Sequence, residues 1–195
     1  MAKVKSTKKY KEKTDKKKND TQKGKGAFFN ISYLSYLILF AIFLYSFYIR
    51  GIIPIDKVLG SGVVGFAMDD SVYHMRLVEN TIQFFPNRIF YDAFTLYPFG
   101  STIHFGPLFS QMIAFLALVA GFVLNGGTPS QSTIDTIGAF FPSIIGALVV
   151  FPVYFIGKEL MDNKAGLLAA FLIAILPGQF LSRSILGFAD HHIAV

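Results

Sequence analysis

Two short stretches of this chain carry acidic side chains in a setting that can bind a metal ion or a phosphate. The first is Met68-Asp69-Asp70-Ser71-Val72-Tyr73-His74-Met75-Arg76. On a helix that starts near Asp70, His74 returns to the same face one turn later. A carboxylate at a helix N-terminus is also stabilised by the helix dipole. The alternative interpretation is an ordinary helix N-cap, supplied by Asp70 or Ser71.

The second stretch is Ser182-Arg183-Ser184-Ile185-Leu186-Gly187-Phe188-Ala189-Asp190-His191-His192. Asp190 and His192 lie two residues apart and can chelate one ion if the backbone turns both inward. A carboxylate combined with an imidazole suits Mn²⁺, Mg²⁺ or Zn²⁺. Arg183 adds a planar cation that fits a phosphate. Taken alone, these residues are also compatible with a solvated loop.

The two motifs gain meaning as a pair if they lie on the same side of the protein. A metal held between two helix ends would neutralise the oxygens of a phosphate or diphosphate leaving group as negative charge develops. Whether the motifs can meet depends on the elements that carry them, and on how often the chain crosses a membrane.

Composition indicates an integral membrane protein, because 53% of the 195 residues are hydrophobic. The chain has no cysteine, which excludes disulfide and thiolate chemistry. Eleven of its 18 lysine and arginine residues stand in residues 1–26, which contain few apolar side chains. We expect a disordered cytoplasmic tail beside a membrane helix. Nucleic-acid binding and a cleaved signal peptide both fit this tail less well.

The charges near the apolar runs predict the topology. Lys158 and Lys164 flank a turn that the positive-inside tendency places in the cytoplasm. The first run starts in the cytoplasm after the basic tail, so a single crossing must separate Arg50 from Lys158. The run 106–124 contains Pro107 and polar side chains, and we expect that it does not cross.

The predicted organisation follows from this assignment. It comprises a basic tail 1–26, a first transmembrane helix 27–49, a large external loop 50–133 with an amphipathic helix 71–85 and an apolar non-spanning helix 106–124, a second transmembrane helix 134–157, a third transmembrane helix 164–186, and the start of a second external loop 187–195. In the first loop, Glu79, Arg88 and Asp92 are expected on a solvated face.

From about residue 28 to residue 195, the chain resembles the catalytic subunit of oligosaccharyltransferase, particularly its archaeal, AglB-like form. Three features carry the resemblance. They are an Asp six residues before an Arg after the first span (Asp70 and Arg76), the stretch Tyr97-Pro98-Phe99-Gly100 followed by Ile103-His104-Phe105-Gly106-Pro107-Leu108, and the run from Ala165-Gly166-Leu167 through Pro177-Gly178 to the second motif.

The resemblance implies an all-α multi-pass membrane protein, the N-terminal portion of a GT-C-type helical membrane domain with a helical first external loop. Relatives transfer an oligosaccharide from a dolichol phosphate or diphosphate carrier to Asn in Asn-X-Ser/Thr of an acceptor polypeptide, and Mn²⁺ or Mg²⁺ is expected as cofactor. The implied location is the cell membrane, with a cytoplasmic N-terminus and both acidic motifs on the extracellular face. No nucleic-acid partner is expected.

Roles are carried over only onto matching positions. Asp70 is expected to be catalytic and a metal ligand, and Asp190 and His192 are expected to be metal ligands. The second motif is Asp-X-Asp in many relatives, and the final histidine here fits archaeal ones. The positions expected near the lipid phosphate are Arg183, Arg76 and His74. Asp69 and His191 match no ligand position and are interpreted as neighbours.

Two parts of the family pattern are missing from the sequence. The family uses a later Glu and a C-terminal domain with a Trp-Trp-Asp-Tyr-Gly-type motif, whereas this chain contains no tryptophan. We therefore expect a fragment or truncated product that is inactive alone. The alternatives are another GT-C enzyme, such as a protein O-mannosyltransferase, or a non-enzymatic transporter fragment.

Overall fold

The computed structural model of the chain describes residues 33–193. The predicted basic tail 1–26, the predicted start of the first span and the last two residues lie outside the described residues. The chain divides into two compact units, residues 1–41 and 42–195. Of the first unit, residues 33–41 are described, and they are helical. The residues that form the candidate site all lie within the second unit.

The described residues are mainly helical. Helix α1 covers 33–47 and continues through a π-helical turn, Tyr48–Ile52, towards the short helix α2, Ile55–Leu59. The further elements are α3 (Met68–Phe84), strands β1 (Tyr91–Asp92) and β2 (Ser101–Thr102), α4 (Leu108–Asn125), α5 (Gln131–Leu148), α6 (Val150–Leu160), α7 (Asn163–Ile175), α8 (Gln179–Ser182) and a 3₁₀ turn at His191–Ile193. The strands form an antiparallel hairpin in which Tyr91 pairs with Thr102.

Within residues 33–193, two helical stretches are long and apolar enough to cross a membrane. They are Tyr33–Leu59, with 27 residues, and Gln131–Leu160, with 30 residues. At about 1.5 Å per residue, either exceeds a hydrocarbon core of about 30 Å. The apolar helices Leu108–Leu124 and Asn163–Ile175 are shorter.

The stretch 164–186, predicted as one transmembrane helix, folds as two helices. Helix α7 ends at Ile175, and α8 begins at Gln179. Pro177 removes a backbone donor, and Gly178 has a φ of +122°, a conformation that favours glycine. The chain therefore turns before the second motif, and the end of the stretch packs against α2 and α5, where Leu186 joins a cluster with Val58 and Ala139.

Helix α3 is the predicted amphipathic helix, extended by one turn at its N-terminus. It starts at Met68 rather than 71 and ends before Pro86. Of its predicted apolar stripe, Met75 and Val78 are buried, whereas Val72 is exposed. The buried face belongs to one apolar cluster with α4 and α5. This core consists of Met75, Val78, Phe109, Ile113, Ala114, Ala117, Ile134, Phe141 and Ala189.

Helices α6 and α7 form a close-packed hairpin. A Cβ atom added at Gly166 would lie 2.6 Å from the Tyr154 carbonyl oxygen and 3.0 Å from the Lys158 nitrogen. One added at Gly157 would lie 2.9 Å from the Gly166 Cα. Each distance is shorter than a van der Waals contact, so the two backbones approach closely only because both positions are glycine.

Replacing Gly166 with valine should therefore separate α6 from α7. We expect Gly166→Val to lower the free energy of unfolding by about 1–3 kcal/mol, the usual effect of overpacking. Thermal unfolding of the purified chain in detergent measures the change. Leu168→Ala, on the same helix and 59% exposed, is the matched control and should change the midpoint little. Equal midpoints for Gly166→Val and wild type would contradict the packing argument.

Candidate metal and phosphate site

The two acidic motifs meet through backbone hydrogen bonds. The Ala67 N–H, just before α3, donates to the Gly187 carbonyl at 2.9 Å, and the Gly187 N–H donates to the Ala139 carbonyl on α5 at 3.0 Å. Gly187 has a φ of +82°, and an added Cβ would lie 3.0 Å from the Gly65 carbonyl oxygen. A glycine is required here because a side chain would be strained and would push the two segments apart.

Asp190 is the centre of the site, and its side chain is only 1% exposed. Arg183 Nη1 donates to Oδ2 at 2.8 Å. His191 Nδ1 lies 2.8 Å from Oδ1, and His74 Nε2 lies 3.6 Å from the same oxygen. His192 Nε2 is 3.9 Å from Oδ2. A buried carboxylate is thus surrounded by nitrogen atoms from both motifs.

His74 is a buried imidazole that connects α3 to the second motif. Its Nε2 lies 3.0 Å from His191 Nδ1. Phe105 and Phe109 pack edge-on against its ring, with centroid distances of 4.9 and 5.3 Å. Burial lowers the pKa of His74, helped by the neighbouring His191, and this outweighs the opposite effect of the Asp190 carboxylate. His74 is therefore neutral at pH 7.

His74, Asp190 and His191 offer two nitrogen atoms and one oxygen atom, all within 4.8 Å of one another. Such a donor set fits a transition-metal ion. The two imidazoles are not equivalent, however. A ligating histidine almost always donates its other ring N–H to an acceptor, and His74 Nδ1 is buried without a hydrogen-bond partner among the described residues. His74 therefore fits better as a hydrogen-bond partner of His191 than as a metal ligand.

Asp70 lies in the first turn of α3, one turn before His74, and is exposed. The helix begins after Ala67 without a side-chain cap, so neither Asp70 nor Ser71 is the N-cap that the alternative interpretation required. The Ser71 hydroxyl donates instead to the Ala67 carbonyl at 2.5 Å. The carboxylate of Asp70 is thus free to face solvent beside the buried site. His192 is half-exposed on the other side.

Arg76 is engaged by the hairpin rather than by Asp190. Its Nη2 donates to Asp92 Oδ1 at 2.8 Å, and its guanidinium lies over the Phe94 ring at 5.0 Å. Asp92 also accepts from the Phe94 N–H and the Thr95 hydroxyl, each at 3.0 Å. The expectation that Asp92 lies on a solvated face is wrong, since its side chain is 2% exposed. A turn that wraps its own carboxylate leaves no signal in the hydrophobic pattern.

The pKa of Asp92 reflects this enclosure. Burial alone would raise it, but the hydrogen bonds from Phe94 and Thr95 and the charge of Arg76 outweigh burial, and the pKa lies below its ordinary value. A carboxylate with a depressed pKa stabilises the fold above its unfolded-state pKa. That contribution is lost as the pH falls through the folded-state value.

Asp92→Asn should therefore destabilise the chain at pH 7 by about 1–3 kcal/mol, because Arg76 loses its charged partner. The difference from wild type should begin to shrink as the pH falls below about 4, where Asp92 of the unfolded chain becomes protonated, and should disappear at lower pH, where the folded carboxyl is protonated as well. Unfolding midpoints measured at several pH values test both statements. Asp56→Asn, at an exposed position, is the control. A destabilisation that does not change with pH would contradict the role of the charge.

Sequence reasoning missed two contributors to the site. His191 was interpreted as a neighbour without a role, although its Nδ1 is the ring nitrogen closest to Asp190. Phe105 packs against both His74 and His191. The motif containing Phe105 was noted, but an aromatic side chain in a loop carries no sequence signal for what it will cover.

The fold and the site define a helical chain with two membrane-length helices and a candidate metal centre between two acidic motifs. The family model described as "Oligosaccharyl transferase STT3, N-terminal" matches residues 34–195. The chain belongs to this family, and the resemblance inferred from the motifs is confirmed.

Individual relatives support the same family assignment. The chain is 49% identical over 125 residues to dolichyl-phosphooligosaccharide-protein glycotransferase 3 of Archaeoglobus fulgidus, covering 64% of this chain and 14% of that protein. Its structure resembles the A. fulgidus oligosaccharyltransferase in complex with Zn and sulfate (TM-score 0.71, 43% identity, 80% of this chain and 19% of that one).

It also resembles archaeal AglB from A. fulgidus in complex with an inhibitory peptide and a dolichol-phosphate (TM-score 0.74, 41% identity, 84% of this chain and 18% of that one). The chain thus spans less than a fifth of the length of each of these three relatives.

Proposed function

We propose that this chain is the N-terminal part of an oligosaccharyltransferase, which moves an oligosaccharide from a dolichol phosphate or diphosphate carrier to Asn in Asn-X-Ser/Thr of an acceptor polypeptide. The observation that carries the proposal is the meeting of the two acidic motifs around buried Asp190, in a chain whose family match covers residues 34–195. Relatives solved with Zn and sulfate, and with a dolichol-phosphate, support it.

In this proposal Asp70, Asp190 and His192 hold a divalent ion, Mn²⁺ or Mg²⁺, whose charge would offset the negative charge that develops on the departing phosphate. The donor types are suitable, because carboxylate and imidazole groups bind such ions. Of these three residues, only Asp190 belongs to the group of donors that lie within 4.8 Å of one another, which it forms with His74 and His191. Asp190 is held in place by Arg183 and the neighbouring histidines. Asp70 and His192 lie at the exposed edge, where substrate and ion can enter.

Arg183 is placed to bind phosphate oxygens. Its Nε donates to Gln179 at 3.0 Å and its Nη1 to Asp190 at 2.8 Å. The side chain is one-third exposed, and its Nη2 group is left to donate to an anion. A guanidinium held on two sides in this way presents its remaining N–H groups in a fixed direction.

Asp70 is proposed to activate the acceptor amide. An amide nitrogen is a poor nucleophile because its lone pair is delocalised into the carbonyl group. A carboxylate that accepts the amide N–H weakens that delocalisation and can take the proton as the nitrogen–sugar bond forms and the sugar–phosphate bond breaks. The exposed position of Asp70, at the start of a helix, makes it accessible to a polypeptide.

A chimera tests the roles of these residues. Residues 34–195 replace the matching segment of the A. fulgidus oligosaccharyltransferase that was solved with Zn and sulfate. Transfer of the oligosaccharide to an Asn-X-Thr peptide is then measured with Mn²⁺. We expect transfer by the chimera and a loss on the order of 100-fold for Asp70→Asn or Asp190→Asn. Asp69→Asn, at the adjacent exposed carboxylate, is the matched control and should retain activity. Unchanged rates in Asp70→Asn and Asp190→Asn would refute the site assignment.

The acceptor residue and a transport assay distinguish the proposed function from a protein O-mannosyltransferase and from a transporter. Transfer to a peptide that contains Ser and Thr but no Asn would favour a protein O-mannosyltransferase type of enzyme. Movement of a solute across proteoliposomes without transfer would favour a transporter. Either result would replace the proposed function.

We also propose that the chain is a multi-pass membrane protein with a cytoplasmic N-terminus and extracellular acidic motifs. The three proposed spans are based on the stretches predicted at 27–49, 134–157 and 164–186, of which the last is a broken span made of α7 and α8. Helix α4 rests on the protein instead, which is consistent with its packing against α3 and α5 in one core. Helix α7, at about 20 Å, would require the segment that follows it to complete a crossing.

Cysteine labelling tests this topology without background, because the chain contains no cysteine. In intact cells, Gly127→Cys, beyond the end of α4, should react with a membrane-impermeant maleimide. Met161→Cys, in the turn between α6 and α7 and 80% exposed, should react only after permeabilisation. The reverse pattern would invert the orientation. Labelling of both positions in intact cells would place the α6–α7 turn outside.

A further inference from the structure

Arg50 is a completely buried arginine that no element of the proposed function uses. Its side chain is 0% exposed. Among the described residues, no carboxylate lies within ion-pair distance of it. A buried cation is strongly destabilising unless its donors are satisfied, so the groups that do satisfy Arg50 show what it holds together.

The guanidinium binds the C-terminal end of α7. Nη1 donates to the Ala174 carbonyl at 2.8 Å, and Nη2 donates to the Ile173 carbonyl at 3.3 Å. These carbonyls belong to the last turn of α7, which ends at Ile175. Carbonyl groups in the last turn of a helix have no N–H partner within the helix. They lie at the negative end of the helix dipole, which favours a cation. Arg50 therefore completes the end of this helix.

The same residue binds the end of the segment that follows α7. Nε donates to the Ser184 hydroxyl at 2.9 Å, and the main-chain carbonyl of Arg50 accepts the Leu186 N–H at 2.9 Å. The guanidinium also lies over the Phe180 ring at 5.2 Å. Its position is fixed from its own helix by the Ser46 hydroxyl, which accepts from Nη1 at 2.7 Å.

Arg50 thus holds both ends of the segment 173–186, and the site begins inside this segment. Arg183, adjacent to Ser184, binds Asp190, and Gly187, adjacent to Leu186, accepts the bond from the start of α3. We infer that Arg50 is a positioning residue for the site, which sets the placement of Arg183 and Asp190 through Ser184 and the end of α7. This inference rests on the proposed function for its consequence in metal binding.

Helix α5 packs against the contact between Arg50 and Ser184. A Cβ added at Gly146 would lie 2.4 Å from the Ser184 Cβ and 3.2 Å from Arg50 Nε. The contact between Arg50 and Ser184 is therefore enclosed and has little room to rearrange. Lysine at position 50 would keep the charge but cannot reach the α7 carbonyls and Ser184 together, because it lacks the planar fork of arginine.

Hydrogen–deuterium exchange and Mn²⁺ affinity of the purified full chain test this role. In Arg50→Met, amides in residues 183–190 should exchange about tenfold faster, while those of α3 and α4 keep their wild-type rates. Mn²⁺ affinity, measured by electron paramagnetic resonance, should fall about tenfold, the range found when groups behind metal ligands are lost. Arg50→Lys should recover little of either property.

Two hydroxyl variants provide a matched pair if Arg50→Met does not fold. Ser184→Ala removes the hydroxyl that accepts from Arg50 Nε, whereas Ser143→Ala removes a hydroxyl that donates to the Arg50 main-chain carbonyl at 3.2 Å. Both serines are buried. Ser184→Ala should reproduce the local exchange and the weaker Mn²⁺ binding, and Ser143→Ala should not.

The outcomes separate this inference from the proposed function. If amide exchange in Arg50→Met rises uniformly along the chain, Arg50 only stabilises the fold and the inference is overturned. A faster exchange confined to residues 183–190 with unchanged Mn²⁺ affinity would overturn it as well. Absence of Mn²⁺ binding by the wild type would overturn the metal site itself. In that case the placement of residues 183–190 by Arg50 is decided by exchange alone, with a local rise supporting it and no rise refuting it.

Discussion

The burial of the Asp190 carboxylate is the constraint that the rest of this structure meets. An ionised carboxylate removed from water destabilises a fold by several kcal/mol unless donors replace its hydration. Arg183 and His191 supply donors from nearby in the chain, each at 2.8 Å. His74 comes from a helix more than a hundred residues earlier and lies 3.0 Å from His191 and 3.6 Å from Asp190 Oδ1. Helix α3 therefore encloses the carboxylate and holds one of its donors, so its packing and the site depend on each other.

Apolar packing enforces the same placement. Ala189, the residue before Asp190, lies in the core that joins Met75 and Val78 of α3 to the apolar faces of α4 and α5. The backbone bond from Ala67 to Gly187 fixes the register between the segments. Because packing and hydrogen bonds agree, a shift that favours one would break the other, which is the consistency expected of a unique fold.

The sequence was sufficient where a local pattern carries the information. Helical spacing predicted α3, and the motifs correctly indicated the family. The pairing of Asp70 with Asp190 in one metal site stays a prediction. Local sequence patterns do not predict side-chain positions that depend on the conformation of a turn. The 3₁₀ turn at His191–Ile193 determines which imidazole faces the carboxylate. The enclosure of Asp92 depends on its own turn, and hydropathy could not show that the apolar stretch 164–186 breaks at Pro177.

In the proposed metal site, the exposed carboxylate would supply negative charge that favours a bound cation. Arg183 balances Asp190, and His74 is neutral because burial lowers its pKa. The carboxylate of Asp70 then adds a further negative charge at the exposed edge. Among the described residues, Arg50 forms no ion pair with these carboxylates, because carbonyl and hydroxyl oxygens satisfy the donors of its guanidinium. In the proposed site, Arg50 therefore acts through the backbone that carries Arg183 and Asp190, and not by pairing with a carboxylate ligand.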